Sequence, residues 1–270
     1  MVYRLLALDV DDTLLDENSS LPEKNKRMVA EALGAGVEVV LVTGRMHISA
    51  LPYHRLLGLQ GPLISYNGAL VKEDGQTLRY DPLSPELAER ILTLLQGYSL
   101  HLNLYLEDSY FVENYGEEVR LYEEISGISA ERVDSLFSVL DQAPIKLLII
   151  EPDQELIGQL KTLLQDSFRG QIHLTTSRPG FLEITAAGVN KGRALKWLVE
   201  QRGWSPEEVL AIGDGMNDLE MIRYAGLGLV PANASPQLKE SADGITLSSS
   251  QGGVARAIEE YILKERKGYS

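Results

Sequence analysis

Short apolar runs alternate with helix-like stretches at both ends of the chain, and this alternation constrains the fold more than any other feature. The predicted strands are residues 3–8, 37–42, 62–66, 209–212, 226–230 and 244–247. The predicted helices are residues 22–33, 46–57, 191–201, 217–225 and 254–264. This β-α-β order predicts a parallel sheet with helices on both faces. We therefore expect an α/β core with a doubly wound, Rossmann-like sheet.

The middle of the chain follows a different pattern. Pro82 and Gly188 mark the points where the alternation is interrupted. Between them, predicted strands follow one another in pairs, which indicates an antiparallel sheet with helices on one face. We predict an inserted α+β cap domain at residues 83–187, within a discontinuous core domain of residues 1–82 and 188–270.

Composition excludes several classes of function. The 270 residues carry a formal charge of −14, which repels the phosphate backbone of nucleic acids. The sequence has no cysteine, which excludes disulfides and thiolate chemistry and fits the cytoplasm. We expect no signal peptide, and no apolar run reaches membrane-spanning length. The expectation is a cytoplasmic protein with no nucleic-acid and no membrane partner.

Two acidic residues, Asp9 and Asp11, come directly after the first predicted strand. Ligands of parallel sheets bind beyond the carboxyl ends of the strands, and side chains two positions apart on an extended backbone point the same way. Adjacent carboxylates repel each other unless a cation or a shared proton intervenes. A hard divalent ion such as Mg²⁺ prefers such oxygen ligands. The alternative is an acidic cap or turn before the next element.

Three further residues offer groups that suit an anion. Thr43 and Gly44 follow the second strand: Thr43 offers a hydroxyl, and Gly44 lets the backbone come close to a ligand. A strand-to-helix turn capped by a hydroxyl explains both residues equally well. Lys191 stands at a predicted helix start, where an anionic neighbour would offset the helix dipole. Most lysines are simply solvated, so Lys191 alone indicates little.

A glycine-rich acidic loop occupies residues 213–218, directly after a predicted strand. It carries Asp214, Asn217 and Asp218, whose oxygen atoms suit a hard cation. The alternative is a turn followed by an acidic cap of the next helix.

Together these pieces resemble the haloacid dehalogenase superfamily, whose four motifs are Asp-x-Asp, a Thr or Ser, a Lys, and Gly-Asp-x-x-x-Asp. Its Cof-type branch (subfamily IIB), with a large cap between the second and third motifs, is similar at residues 9–15, 43–45, 67–69, 191–192 and 213–218. The resemblance covers essentially the whole chain, although the cap matches only in pattern. It implies a Mg²⁺-dependent phosphatase for a small phosphorylated substrate, such as a sugar phosphate.

The resemblance also implies a role for each matched residue. Asp9 would be the nucleophile that forms an aspartyl-phosphate, and Asp11 would be the general acid and base. The other implied roles are Mg²⁺ binding by Asp9, Asp11 (through its backbone carbonyl), Asp214 and Asp218, and phosphoryl binding by Val10, Thr43, Gly44, Lys191 and Asn217.

Two positions depart from the branch pattern. Asp12 replaces the usual glycine after the second aspartate; aspartate tolerates left-handed backbone, but it adds negative charge near the phosphate. Residues 231–234 lack the usual glycine before Asn233, and we expect this loop to be structural rather than catalytic.

The predicted cap strands alternate between apolar and polar residues, so their polar side chains share one sheet face. If helices cover the apolar face, the polar face is turned toward the active-site cleft. We hypothesise that some of these polar residues read the substrate; they are His101, Asn103, Tyr105, His173 and Glu183. A solvated sheet face is the alternative.

Two rival functions use similar residues. A phosphotransferase or phosphomutase would share Asp9 and Asp11 but keep water away from the phosphorylated intermediate. A non-catalytic signalling receiver domain also accepts phosphate on an aspartate, but it is roughly half this length and lacks a cap. The sequence leaves the oligomeric state open between a monomer and a homodimer.

Overall fold

Two β-sheets organise residues 3–264, which are the residues that the computed structural model describes. The strands are β1 (Leu5–Leu8), β2 (Glu38–Val42), β3 (Leu63–Ser65), β4 (Leu70–Glu73), β5 (Gln76–Tyr80), β6 (His101–Tyr105), β7 (Tyr110–Val112), β8 (Glu131–Arg132), β9 (Lys146–Ile150), β10 (Ile172–Arg178), β11 (Phe181–Ala186), β12 (Val209–Ile212), β13 (Leu227–Pro231) and β14 (Gly244–Thr246).

Helices connect these strands. The α-helices are α1 (Glu23–Gly34), α2 (His47–Leu56), α3 (Pro85–Leu95), α4 (Glu117–Ser126), α5 (Gln154–Ser167), α6 (Lys191–Gln201), α7 (Leu219–Tyr224), α8 (Pro236–Lys239) and α9 (Gly253–Ala257). The 3-10 turns are Tyr66–Gly68, Leu136–Val139, Pro206–Glu208, Met216–Asp218 and Ser249–Gln251, and the π-type turns are Val10–Leu14 and Ile258–Leu263.

The first sheet, which we call the core sheet, has the strand order β14-β13-β12-β1-β2-β3-β4-β5. The strands from β14 to β3 are parallel to one another. Every side chain of the central strand β1 is buried. Leu6 and Leu8 pack into one apolar cluster with α1 and α9, whereas Leu5 and Ala7 pack into another with α6 and α7. Helices therefore cover both faces, as a buried parallel sheet requires.

The second sheet, which we call the cap sheet, has the order β10-β11-β9-β6-β7-β8. Its strands are antiparallel except for the parallel pair β7–β8. One face carries Leu104, Leu147 and Leu182, which pack against α3 and α5. The other face, with Tyr105 and Leu148 among its residues, packs in one cluster with core residues, including Met46 and Tyr66. The α/β core and the α+β sheet both agree with the fold predicted from sequence.

Most predicted elements are confirmed, but the core sheet is not wholly parallel. Strands β4 and β5 form an antiparallel hairpin that extends it beyond β3. The turn is Asp74-Gly75, and both residues have positive φ angles, 50° and 76°. Asp-Gly between strand-forming residues is a strong hairpin signal, which the prediction of a parallel sheet overlooked. The prediction also missed the short strand β8.

The closing segment differs in detail from the single helix predicted over residues 254–264. Helix α9 ends at Ala257 and continues as the π-type turn Ile258–Leu263. Across residues 3–264, none of the helices combines the length and the apolar character needed to cross a bilayer. The domain boundaries proposed from sequence stay a prediction, although every strand of the cap sheet lies between residues 101 and 186.

Candidate active site

Two neighbouring strands of the core sheet bring the predicted acidic motifs together. Strands β1 and β12 are parallel partners, with Leu8 opposite Ile212 in the register. The Asp9 backbone N–H continues this ladder, donating to the Ile212 carbonyl at 2.9 Å. The segment after β1 and the loop after β12 therefore emerge side by side at the carboxyl edge of the sheet, where parallel sheets bind ligands.

Lys191 joins the two acidic segments. Asn190 caps helix α6 by accepting from the Arg193 backbone N–H at 2.7 Å, and this cap fixes Lys191 as the first helical residue. The Lys191 ammonium is fully buried and donates to Asp9 Oδ1 and Asp218 Oδ1, each at 2.6 Å. Although burial lowers the pKa of Lys191, the charges of Asp218 and Asp9 raise it above its usual range, so the side chain stays cationic.

Three carboxylates could hold a metal ion at this point. One oxygen from each of Asp9, Asp214 and Asp218 lies within 4.8 Å of the others. Burial and the negative charge of Asp218 raise the pKa of Asp9 above its usual range, and they raise that of Asp214 to about 7. Thr13 Oγ1 donates to Asp214 Oδ1 at 2.8 Å, which partly offsets this rise. The cluster has more negative charge than Lys191 alone neutralises, as a cation site would.

Asp11 stands apart from this cluster, because its carboxylate is paired with Arg45. The guanidinium donates to both carboxylate oxygens, from Nε at 2.9 Å and from Nη2 at 2.6 Å. Burial raises the pKa of Asp11, but the hydrogen bonds and charge of Arg45 outweigh burial and lower it overall. The sequence prediction gave Asp11 a role in metal binding through its backbone carbonyl only. This is compatible with a side chain that is bound to Arg45.

The predicted phosphoryl-binding residues converge from separate loops. Thr43 is buried beyond β2, and its hydroxyl accepts the Arg45 backbone N–H at 3.1 Å. Gly44 lines the cavity beside Asn67, and a Cβ on Gly44 would lie 3.0 Å from Asn67 Oδ1. Asn217 donates to the same oxygen at 3.1 Å. Val10, also predicted as a phosphoryl binder, is buried in the turn directly after Asp9.

The cap sheet contributes two buried charged residues to the site. Lys146 Nζ donates to the Gly44 carbonyl at 3.1 Å and to Glu183 Oε1 at 3.3 Å. Glu183 also accepts a hydrogen bond from Asn67 Nδ2. Sequence reasoning proposed Glu183 but missed Lys146. A lysine at an inward-facing position of the apolar strand β9 was the available signal, because an unpaired ammonium is rarely buried.

The polar face of the cap sheet is partly enclosed: Glu183 is buried like Asn103 and Tyr105, whereas His101 and His173 are half-buried. A fully solvated face therefore does not describe it. Asn103 and Tyr105 are fully buried, and Asn103 Nδ2 donates to the Tyr105 hydroxyl at 3.0 Å. His101 Nε2 bonds to Asn103 Oδ1 at 2.7 Å. Glu183 lines the catalytic cavity and His173 lines an adjoining cleft. Substrate reading by these residues stays a hypothesis, with Glu183 and His173 in the relevant positions.

The two departures from the branch pattern meet each other in space. Asp12 takes left-handed backbone, with φ 55° and ψ 7°, so the turn that normally uses glycine persists. Asn233 Nδ2 donates to the Asp12 carbonyl at 2.8 Å, and Asn233 Oδ1 accepts from the Ser249 backbone N–H at 2.9 Å. These contacts fit the structural role expected for residues 231–234.

The cavity against Asp9 is small, about 80 Å³, and lies between the two sheets. Core and cap residues close it together: Ser49 donates to the Ser126 carbonyl at 2.5 Å, and Arg45 donates to the Ile125 carbonyl at 3.3 Å. Sites for small molecules are usually ≈ 300–1,000 Å³. This arrangement is therefore closed, and most of a substrate outside the phosphoryl group needs the adjoining cleft or an opened cap.

Comparisons with known proteins agree with this geometry. The profile of a family described as haloacid dehalogenase-like hydrolase matches residues 6–258. An HMP-PP phosphatase from Serratia proteamaculans (strain 568) is 32% identical, over 88% of this chain and 87% of the relative. A 5-amino-6-(5-phospho-D-ribitylamino)uracil phosphatase, YcsE of Bacillus subtilis (strain 168), is 28% identical over 96% of each chain. The crystal structure of a haloacid dehalogenase-like hydrolase from Bacteroides thetaiotaomicron superposes with a TM-score of 0.87 at 28% identity, covering 95% of this chain and 98% of that one.

Proposed function

The chain belongs to the haloacid dehalogenase-like hydrolase family, and from this premise we propose that it is a Mg²⁺-dependent phosphatase acting through an aspartyl-phosphate on Asp9. The observation that carries the proposal is the buried Lys191 ammonium, which bonds Asp9 and Asp218 at 2.6 Å each beside Asp214. Phosphoryl transfer depends chiefly on positioning and charge stabilisation, and this cluster supplies both.

The residues present fit a magnesium ion. The candidate ligands are carboxylate oxygens of Asp9, Asp214 and Asp218, the hard donors that Mg²⁺ prefers. Burial and mutual repulsion among these carboxylates raise the pKa values of Asp9 and Asp214, and a bound dication would relieve that repulsion. When bound, the ion would neutralise charge on the transferring phosphoryl group.

Asp9 would carry the phosphoryl group. Its carboxylate oxygen attacks phosphorus, the bond from phosphorus to the leaving oxygen breaks, and the leaving oxygen takes a proton from Asp11. Asp11 then accepts a proton from water, whose oxygen attacks the phosphorus and releases Asp9 and inorganic phosphate. The Lys191 bond to Asp9 Oδ1 orients the nucleophile and offsets the charge that accumulates beside it.

Asp11 is suited to the base step as it stands, because Arg45 lowers its pKa and keeps it ionised. The acid step requires a proton on the same carboxylate. A phosphate dianion in the cavity raises the pKa of a nearby carboxyl group by like-charge repulsion, so substrate binding itself favours protonation of Asp11.

Five groups would bind the phosphoryl oxygens. The Thr43 hydroxyl accepts from Arg45 N–H and so retains its own hydrogen for donation. The Gly44 and Val10 backbone N–H groups and the Asn217 amide are the other proposed donors, together with Lys191. The substrate class, a small phosphorylated metabolite, is supported by relatives named as phosphatases of HMP-PP and of a ribitylamino-uracil phosphate.

The test is phosphate release from a panel of phosphorylated metabolites, with Mg²⁺ and with EDTA, for wild type, Asp9→Asn and Asp12→Asn. We expect release that needs Mg²⁺, vanishes in Asp9→Asn and persists in Asp12→Asn, which alters the same kind of side chain in the same turn. Transfer to an alcohol acceptor without release would indicate a phosphotransferase instead. Full release by Asp9→Asn would exclude Asp9 as the nucleophile.

A further inference from the structure

Arg178 is a cation at the edge of the catalytic cavity that has no acidic partner within the described residues. It is the last residue of β10, and it lines the cavity together with Asp11 and Asp12. In residues 3–264 its side chain makes no ion pair and no hydrogen bond. Its guanidinium makes a cation–π contact with the Phe181 ring, whose centroid is 5.5 Å from the guanidinium carbon.

The other two cations that line this cavity are already committed. Arg45 is held by both oxygens of Asp11, and Lys146 is held by Glu183 and the Gly44 carbonyl. Binding a substrate anion would require either of them to give up an existing partner. Arg178 can bind an anion without giving up an existing partner. In the part of the chain that the structure describes it lacks an acidic partner, although the chain, with a net charge of −14, has many acidic groups.

Arg178 also borders the larger space next to the cavity. It lines both the cavity of about 80 Å³ against Asp9 and an adjoining cleft of about 620 Å³, as do Asp214, Gly215 and Asn217. The small cavity leaves little room beyond a phosphoryl group at Asp9, and the cleft beside Arg178 offers room for the rest of the substrate. The acidic groups facing these two spaces include Asp12, Asp214 and Glu220, and they repel an anionic leaving group unless a cation offsets them.

The positive charge of Arg178 lowers the pKa values of two carboxyl groups in the site. Burial and Asp11 raise the pKa of Asp12, and Arg178 lowers it. For Asp11, burial raises the pKa and Arg45 lowers it, with Arg178 adding to the lowering. The guanidinium is thus close enough to act on charges in the cavity while bonding to none of them.

Resting on the phosphatase function proposed above, we propose that Arg178 binds a second anionic group on the leaving-group side of the substrate. Preferred substrates are then phosphate esters or diphosphates whose leaving group carries a further phosphate or a carboxylate. A guanidinium presents a planar set of donors that matches both groups. The contact with the Phe181 ring is a cation–π contact, which uses none of the N–H donors that an anion would need.

The experiment compares matched substrates that differ by one anionic group. Methyl diphosphate against methyl phosphate tests the phosphate arm, and phosphoserine against phosphoethanolamine tests the carboxylate arm. For wild type and Arg178→Ala, kcat/KM is measured on all four. In at least one pair, we expect kcat/KM of Arg178→Ala to fall more for the substrate with the additional anionic group than for the other substrate. The difference between the two losses should be roughly ten- to a hundred-fold. The pair that responds identifies the anion.

Two further variants make the comparison specific. Arg178→Lys keeps the charge without the planar donors, so we expect an intermediate loss and a folded protein if alanine is poorly tolerated. Arg90→Ala is the matched control, because Arg90 also stacks on a cap phenylalanine, Phe168, at 5.2 Å but lies outside the cavity. We expect Arg90→Ala to leave both substrate ratios unchanged. Equal losses on both members of each pair in Arg178→Ala would overturn the inference.

Failure of the phosphatase proposal is distinguishable from failure of this one. Binding of methylenediphosphonate, a non-hydrolysable analogue of diphosphate with a P–C–P bridge, is measured by calorimetry with Mg²⁺ for wild type and Arg178→Ala. Affinity that drops at least tenfold in the variant supports the anion site even if wild type hydrolyses none of the substrates. Unchanged affinity together with unchanged substrate ratios rejects the anion site while leaving the phosphatase function intact.

Discussion

The guanidinium of Arg45 holds Asp11 by both carboxylate oxygens and contacts the cap with its remaining nitrogen. Its Nε and Nη2 lie 2.9 and 2.6 Å from the two oxygens, and its Nη1 lies 3.3 Å from the Ile125 carbonyl on α4. The proposed acid–base residue and the closed cap therefore share one cation. Any movement of α4 away from the core removes a partner of Arg45 and changes the field at Asp11.

Replacing Arg45 should move the acid limb of the pH–rate profile upward. Without Arg45, burial raises the pKa of Asp11 unopposed by its main partner, so a higher pH is needed to ionise the base. We expect kcat for Arg45→Ala to fall off on the acid side at least about one pH unit higher than for wild type. Arg45→Lys should shift less. Arg55→Ala, which removes an arginine from the following helix α2, is the control. An unmoved acid limb in Arg45→Ala would contradict the assignment.

Magnesium affinity should rise with pH up to about 7. The metal-free pKa of Asp214 is raised to about 7 by burial and Asp218, and a carboxylate must be ionised to bind the metal. Below that pKa, affinity should improve up to tenfold per pH unit and then level off. Calorimetric titration with Mg²⁺ at several pH values measures this. Thr13→Val removes the hydrogen bond that stabilises ionised Asp214 and so raises its pKa further. The rise of affinity with pH should therefore level off at a higher pH than in wild type. Affinity independent of pH would contradict the prediction.

The core half of the site could be predicted from sequence because each motif follows a strand. Asp9 follows β1 and Asp214 follows β12, and parallel strands end at one edge. Buried apolar runs of four residues identify such strands locally. Local pattern and sheet topology were sufficient to bring these two residues together. Lys191 was different: its sequence position indicated only a helix start, which Asn190 caps, and its place in the site followed from the family resemblance.

The cap half could not be predicted in the same way. Lys146 reaches the Gly44 carbonyl across 102 positions of sequence, and no local pattern encodes which core loop lies over which cap strand. Arg178 adjoins the Pro179-Gly180 turn, so its sequence context indicates a turn and nothing more. The antiparallel hairpin β4–β5 is different, because its Asp74-Gly75 signal was local and was overlooked.

The buried pair of Lys146 and Glu183 should show strong coupling in unfolding. Lys146→Met removes the cation that pairs with the buried Glu183 carboxylate, while the hydrogen bond from Asn67 remains. This loss should cost about 3 kcal/mol of the free energy of unfolding. Adding Glu183→Gln should recover part of that loss, since no uncompensated charge remains. Urea denaturation of the two single variants and the double variant measures the coupling.

The matched control for that pair is Lys196→Met. Lys196 pairs with Glu200 at 3.9 Å on the surface of α6, where both side chains are 58% exposed, and exposed pairs contribute little. We expect a change within about 0.5 kcal/mol. Equal, small losses in both lysine variants would show that the buried pair stabilises no more than a surface one.

Glycine and alanine at position 12 should change stability in opposite directions. Asp12 holds a positive φ of 55°, where glycine has no steric cost and alanine fits less well than aspartate. We expect Asp12→Gly to raise the free energy of unfolding by roughly 0.5–1 kcal/mol and Asp12→Ala to lower it by a similar amount. Thermal denaturation measures both. Two changes of the same sign would indicate that the side chain of Asp12, rather than its backbone, determines the effect.

Buried His47 should make the protein less stable as pH falls from about 6.5 toward 4. Burial and the charge of Lys72 lower the pKa of His47 to about 4, whereas an exposed histidine in the unfolded chain keeps a pKa near 6.5. Between these values the unfolded chain binds a proton that the folded protein excludes, so protonation favours unfolding. Above about pH 6.5 both states are neutral and the effect vanishes.

The size of the His47 effect can be measured by urea denaturation at pH 7 and pH 5. We expect His47→Gln to lose less stability over this interval than wild type, by up to roughly 2 kcal/mol once nearby solvent is allowed for. His54→Gln, which removes the other imidazole of helix α2, is the matched control. If His47→Gln and wild type lose stability in parallel, the acid sensitivity does not arise from His47. It then arises from carboxylates whose pKa is lowered in the folded protein, such as Asp11. Burial raises the pKa values of Asp9 and Asp214, so these two cannot account for it.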